Sequence, residues 1–259
     1  MSTVPTTSTT ERWPRWLVAT GVVATVAGFV LHETWRVLPA ERFALSLLLA
    51  LLGWALAWPM KRLLGWSWAS ALLAVWAAAL VLYAGPLQVL GTGLLGLGAL
   101  SVGLWLTPGA LPARAAVAAI VGLMVIAGLS GWVVTLAIHR GWFWWIVLLA
   151  LVVSRRHALL DTGREALRGW RDAVATSPHA AAGGVMLLGL ASTACWLPAL
   201  QMDDLTYHLG LPTQWLLHAR YAPAPEYQVW SYAPWAGDVL HGIATVLSRR
   251  EAHGTVNAL

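Results

Sequence analysis

The sequence predicts an all-α polytopic membrane protein, with about seven transmembrane helices followed by an external loop carrying short interfacial helices. Three observations predict it. First, 59% of the 259 residues are hydrophobic and only 10% are charged, whereas a soluble domain carries roughly a quarter charged residues. Second, long apolar runs recur as far as Leu200 with almost no acid inside them. Third, basic residues collect in alternate connectors between those runs, which is how a multi-pass protein records its orientation.

Residues 1–12 are polar and Ser/Thr-rich and read as a disordered tail, and residues 13–200 form the helical bundle. The runs are Trp16–Leu31, Phe43–Trp58, Trp66–Ala84, Leu87–Leu106, Ala115–Ile138, Trp142–Val153 and Ala181–Leu200. Most approach the roughly 20 residues that span a hydrocarbon core. The first run is too long for a secretory leader and lacks a small-residue cleavage site. The sixth is short unless Gly141 and Ser154 extend it, and only Gly85-Pro86 separates the third from the fourth. Gly91, Gly93, Gly96, Gly98 and Gly103 in the fourth permit close helix packing. Many of the eighteen tryptophans lie near run ends, where an indole suits the membrane interface.

Orientation follows from charge. Arg12 and Arg15, Lys61 and Arg62, Arg114, and Arg155, Arg156, Arg164, Arg168 and Arg171 occupy alternate connectors. The opposite connectors hold only Arg36, Arg42 and Arg140, the first two accompanied by Glu33 and Glu41. The N-terminus is therefore expected in the cytoplasm, and everything after the seventh run outside. The net charge of +5 is accounted for by these connectors and by anionic lipid, so nucleic acid is not implied. The single cysteine, Cys195, excludes an internal disulfide and a cysteine-cluster metal site. The connector at 154–180 is read as a solvated basic loop, with an amphipathic helix on the inner leaflet as the competing reading.

Residues 201–250 change in character and form the external, catalytic-type loop. Asp203 and Asp204 stand at the mouth of the last run. Two adjacent carboxylates there can hold a divalent cation through oxygen ligands, or one can take the proton of an attacking hydroxyl. A helix cap plus a solvated acid accounts for them equally well. Asp204 and His208 are four residues apart, as are Asp203 and Tyr207, so each pair can share a helix face. Leu205, Leu209, Pro212 and Leu216 form one apolar stripe, which fits an interfacial helix. Tyr221, Tyr227, Trp230, Tyr232 and Trp235 alternate with polar residues and prolines. Such rings stack on sugars and also suit an interface. Residues 236–247 read as a second interfacial helix or the entry to another span, and 251–259 as the start of a further segment.

Taken together, Asp203-Asp204-Leu-Thr-Tyr207-His208-Leu-Gly-Leu-Pro, then Trp215, Arg220-Tyr221, a proline-rich stretch and Pro234 resemble the first external loop of the GT-C superfamily. These are polytopic glycosyltransferases that use polyprenyl-phosphate sugars, such as the protein O-mannosyltransferase and aminoarabinose-transferase relatives. The resemblance implies transfer of a sugar from a polyprenyl-phosphate donor to a glycan, lipid or protein acceptor, outside a bacterial inner membrane. It implies that Asp203 is general base or metal contact and that Asp204 is second ligand or helix cap. An Mg or Mn ion at the pair is compatible with this but not required. Tyr207 matches a recurrent aromatic of the family's next helix. His208 would orient Asp204 or contact phosphate, Arg220 would meet the donor phosphate, and Tyr227 and Trp230 would line the sugar. In better-known members the acidic pair follows the first membrane helix, and several more membrane helices come after it. The chain is accordingly expected to be the N-terminal part of a longer enzyme. The competing expectation is a non-enzymatic membrane protein, either a transporter subunit or a lipid-binding scaffold. A transporter would carry ionisable residues or broken helices at mid-membrane, and the seven runs are nearly free of charge.

Overall fold

A computed structural model describes residues 12–33, 36, 40–196, 208–226, 231 and 236–259. Among these residues all regular structure is helical and no strand occurs. Three helices are long and apolar enough to cross a membrane: Glu41–Leu64, Pro86–Leu106 and Arg114–Trp132. A fourth span results if the bent pair Gly141–Ser154 and Arg156–Thr176 is counted as one, and Trp16–Leu31 and Trp68–Ala84 are shorter apolar helices.

The chain divides into two compact units at Leu51/Leu52. In the first, α1 (Arg12–Leu31) exposes Trp16, Val18, Val22 and Val26 along its length. A helix apolar on its outer face has found its solvent only in lipid. The Thr25 hydroxyl is satisfied within the helix, Oγ1 donating to the Gly21 carbonyl at 2.8 Å. The unit ends within α2 (Ala40–Leu64), where Ser46 repeats the device toward Arg42.

The second unit contains the rest of the chain. α3 (Trp68–Ala84) starts at a Ser67 cap whose hydroxyl accepts from Ser70 N at 3.0 Å. It stops at Gly85, whose φ of 97° few side chains tolerate, and Pro86 opens α4 (Pro86–Leu106) without needing its missing N–H. Two residues thus suffice to separate runs that are otherwise continuous. α4 packs antiparallel against α5 (Arg114–Trp132), the tightest helix pair of the unit. A Cβ on Gly103 would collide with the Ala118 carbonyl, and one on Gly122 with the Ala99 carbonyl. Backbone meets backbone here, and only glycine allows it.

α5 ends at Trp132, six residues short of the expected Ile138. The reason is competition for carbonyls. Val133 O takes a hydrogen bond from His139 Nε2 at 2.8 Å, and Val134 O takes bonds from Tyr221 N at 3.0 Å and Trp215 Nε1 at 3.3 Å. Leu136 N also turns back to Val133 O at 3.0 Å, so beyond Trp132 the connector is held by local turns together with these bonds and not by i+4 amides. α6 (Gly141–Ser154) does gain Gly141 and Ser154, yet its 14 residues measure only about 21 Å. α7 (Arg156–Thr176) then bends away by 73°. The expectation of a solvated loop at 154–180 is therefore corrected: the segment is a 21-residue amphipathic helix. α8 (Pro178–Ser192) and a 3₁₀ turn (Thr193–Trp196) return to α3, Gly189 lying against the Trp76 indole.

Close contacts set the levels of these helices. Gly98 meets Leu148, so α4 and α6 run side by side in the same sense. At one end Arg114 Nη2 donates to the carbonyls of Leu104 (3.1 Å) and Thr107 (3.3 Å), and Arg155 Nη2 reaches Leu104 O at 3.5 Å. Two guanidiniums therefore cover the negative C-terminus of α4. This is the basic end of the unit. The opposite end lies one α5 length away, about 28 Å. There α9 (Gly210–His218), α10 (Ala236–Ser248) and α11 (His253–Ala258) gather. Near its start α10 lies beside the last turns of α5, Ala236 and Val239 facing Ala127 and Gly131. Near its finish it meets the first turns of α4 and α6, Leu247 beside Gly91 and Val246 O beside Gly141. α10 thus lies across this end. Protein covers it on nearly every side, with Val239, Ile243, Ala244 and Val246 buried. It is more enclosed than the interfacial helix expected at 236–247.

Candidate functional site

The end opposite Arg114 and Arg155 carries the candidate chemistry. His208 stands just before α9, and its Nδ1 meets Asp238 Oδ1 on α10 at 2.7 Å. Asp238 is buried, its side chain 8% exposed, while His208 keeps 28% exposure. A carboxylate accepts, so Nδ1–H donates. Asp238 thereby orients the His208 ring. Tyr221 lies nearby. Burial first, and the negative charge of Asp238 second, hold its phenol above the usual range, so it stays a neutral donor at physiological pH.

The scaffold beneath this pair is aromatic. His139 is fully buried, its ring stacked on Trp215 at 3.6 Å and 7°. Trp144 lies within 21° of parallel to the same ring, at 5.9 Å. The backbone joins the same pieces, His139 N donating to Ala219 O at 2.9 Å. Ala219 terminates α9 in the left-handed region, with φ of 58°. A carbonyl can only accept, so His139 Nε2–H donates to Val133 O. Burial lowers the pKa of His139, opposed by that hydrogen bond. This array joins the 133–140 connector to α9 and so positions His208 from below. Its role is structural.

A polar stripe continues along α10 at helical spacing: Asp238, His241, Thr245 and Ser248, all buried. His241 Nε2 meets Asn257 Oδ1 of α11 at 3.1 Å, and its ring lies 4.1 Å from that of His253. Thr255 meets Thr92 of α4 through their hydroxyls at 2.6 Å. These bonds seat α11 against the bundle. Between the last turns of α5 and the start of α10, a groove of about 420 Å³ is lined by Ala127, Gly128, Gly131, Trp132, Ala236 and Val239. It is apolar and open to the lipid-facing side, where Trp132 is 89% exposed.

Of the expected site residues, Asp203, Asp204, Tyr207, Tyr227 and Trp230 lie outside the described residues. Arg220 is exposed, next to the α9 cap, and leads into the segment where Gln214 Oε1 accepts from Ala222 N at 2.8 Å. The partner of His208 given by the structure is Asp238, thirty residues on, a pairing that local spacing toward Asp204 did not suggest. Asp238 and Tyr221 were the missed members; a carboxylate in the first turn of a helix with no other ionisable residue except His241 was the available signal for Asp238. Among the described residues no group of three or more His, Cys, Asp or Glu side chains is arranged to hold a metal ion. Comparison with family models, curated proteins and solved structures gives no match.

Proposed function

We propose that this chain acts as a GT-C-like membrane glycosyltransferase. In this reading it transfers a sugar from a polyprenyl-phosphate donor to an acceptor on the outer face of a bacterial inner membrane. Asp203 is the general base or metal contact, and Asp204 supports it, with Mg or Mn held between them if a metal takes part. His208 and Arg220 meet the donor phosphate, and Tyr207, Tyr227 and Trp230 approach the sugar. The finer topology belongs to the same proposal: seven spans, the N-terminus cytoplasmic, and 201–250 outside.

One observation carries the reading. The His208–Asp238 pair is fixed at the end of the bundle remote from Arg114 and Arg155. Only three residues intervene between Asp204 and His208, so at most about 14 Å of chain separates their Cα atoms. In this reading the acidic pair lies at the same end of the bundle as His208, where the described residues also include Arg140, Arg220, Arg249 and Arg250. The apolar groove between α5 and α10 adds support, since an isoprenoid chain needs an apolar path.

The test is transfer of labelled sugar from polyprenyl-phosphate donors by membranes carrying the full-length gene. Asp203→Asn lowers the rate at least about a hundredfold if the residue is a general base. Equal activity in wild type and variant defeats the assignment.

A further inference from the structure

α7 has a surface the glycosyl-transfer reading does not use. About 100° of rotation per residue divides the helix into strips. Leu159, Trp170 and Val174 fall on the strip that packs on the protein and are half-buried. Leu160 and Leu167 form the next strip and are 56% and 49% exposed. Arg164, Arg168 and Arg171, spaced i, i+4, i+7, come next and are exposed, Arg164 in a solvent-exposed ion pair with Asp161 at 3.0 Å. Asp161, Glu165 and Asp172 lie farthest from the leucines. The order is protein, exposed leucine, arginine, acid.

Seven ionised side chains exclude α7 from the hydrocarbon core. The 73° bend at Arg155 turns it across the direction of α6. Arg155 also reaches the C-terminus of α4, which places the start of α7 at the basic end of the bundle. A soluble surface would not favour leucines bordering an arginine row. A headgroup layer would: leucine enters the acyl boundary, arginine reaches the phosphates, and the acids face water.

We propose that α7 lies in the interfacial layer of the leaflet at the basic end, with Leu160 and Leu167 in the acyl boundary and Arg164, Arg168 and Arg171 on anionic lipid phosphates. The occupant is a phosphatidylglycerol-type headgroup surface, and its recognition is charge complementarity joined to apolar insertion. The proposal is independent of sugar transfer, because no residue of the acidic pair takes part in it.

The experiment uses the full chain carrying Cys195→Ser, with single cysteines introduced by Leu160→Cys, Asp161→Cys, Glu165→Cys, Leu167→Cys or Asp172→Cys. Each is spin-labelled and reconstituted in vesicles containing phosphatidylglycerol. Oxygen collisions are expected to peak at 160 and 167, and collisions with a water-soluble nickel complex at 161, 165 and 172. Nickel access at all five positions means a solvated helix and overturns the proposal. Oxygen access at all five means a span, and exclusion of both probes at 160 and 167 means a protein contact; either overturns it too. In the second arm, spin-labelled phosphatidylglycerol is enriched around the wild type at least about twofold over phosphatidylcholine. Arg164→Gln, Arg168→Gln and Arg171→Gln together cut that enrichment by about half, since Arg114 and Arg156 remain. An unchanged enrichment overturns the arginine assignment.

Discussion

Replacing either member of the His208–Asp238 pair has a calculable consequence. The 2.7 Å bond joins a carboxylate that is 8% exposed to an imidazole that is 28% exposed. A hydrogen bond to a charged group contributes about 1.5–3 kcal/mol. Partial exposure of His208 screens it, so the pair should contribute about 1.5 kcal/mol, the lower end of that range. His208→Ala costs more, about 2–3 kcal/mol, because the buried carboxylate loses a partner it still needs. Asp238→Asn keeps an acceptor oxygen for Nδ1–H and should cost about 1 kcal/mol less than Asp238→Ala. Asp238 has further interactions, so single substitutions there report more than the pair. A double-mutant cycle of His208→Ala and Asp238→Ala isolates the coupling. Unfolding in detergent micelles, followed by two probes to confirm a single transition, supplies the free energies. A coupling of about 1.5 kcal/mol is expected, and one below about 0.5 kcal/mol refutes the claim that Asp238 holds His208.

Other parts of the account lead to their own outcomes. Gly122→Leu on α5 drives a side chain into the Ala99 backbone and should destabilise by more than about 3 kcal/mol, while Gly93→Ala on α4, where a Cβ meets nothing within 4 Å, should stabilise by about 0.5–1 kcal/mol; unfolding curves separate them. Ala219→Gly relieves the left-handed φ of 58° at the end of α9 and should raise stability by about 1 kcal/mol in the same assay. Burial depresses the pKa of His139 below 6.5, so below that pH the unfolded chain binds the proton that the folded chain refuses. The contribution is fully present above pH 6.5 and is lost as the pH falls toward the lowered value; the difference in melting temperature between wild type and His139→Phe, followed from pH 7.5 to about 5, should therefore narrow on the acid side.

Three helices long and apolar enough to cross a membrane, or four with the bent pair, were legible among the seven expected runs because hydrophobic length is a local property. Gly85-Pro86 was visible for the same reason, each residue forbidding helix continuation by its own geometry. The end of α5 was not visible, because Trp215 and Tyr221 take the carbonyl that would have continued it from far along the chain. The helical nature of 154–180 was present in the spacing of Leu160, Leu167 and the arginines, but their charge argued for a loop as strongly as their period argued for a helix. Neighbouring residues suggested a local partner for His208. Asp238 is brought to it only by the crossing of α10 over the bundle end, which depends on glycine contacts at Gly91, Gly141 and Gly242 that no short window of sequence encodes.

The account rests on the acidic pair and the basic connectors lying on opposite faces of the membrane. With Cys195→Ser as background, Asp203→Cys and Arg164→Cys can each be challenged with a membrane-impermeant maleimide on intact spheroplasts and again after lysis. The account predicts that position 203 is labelled on intact spheroplasts and position 164 only after lysis. Labelling of both positions from the same face would contradict it.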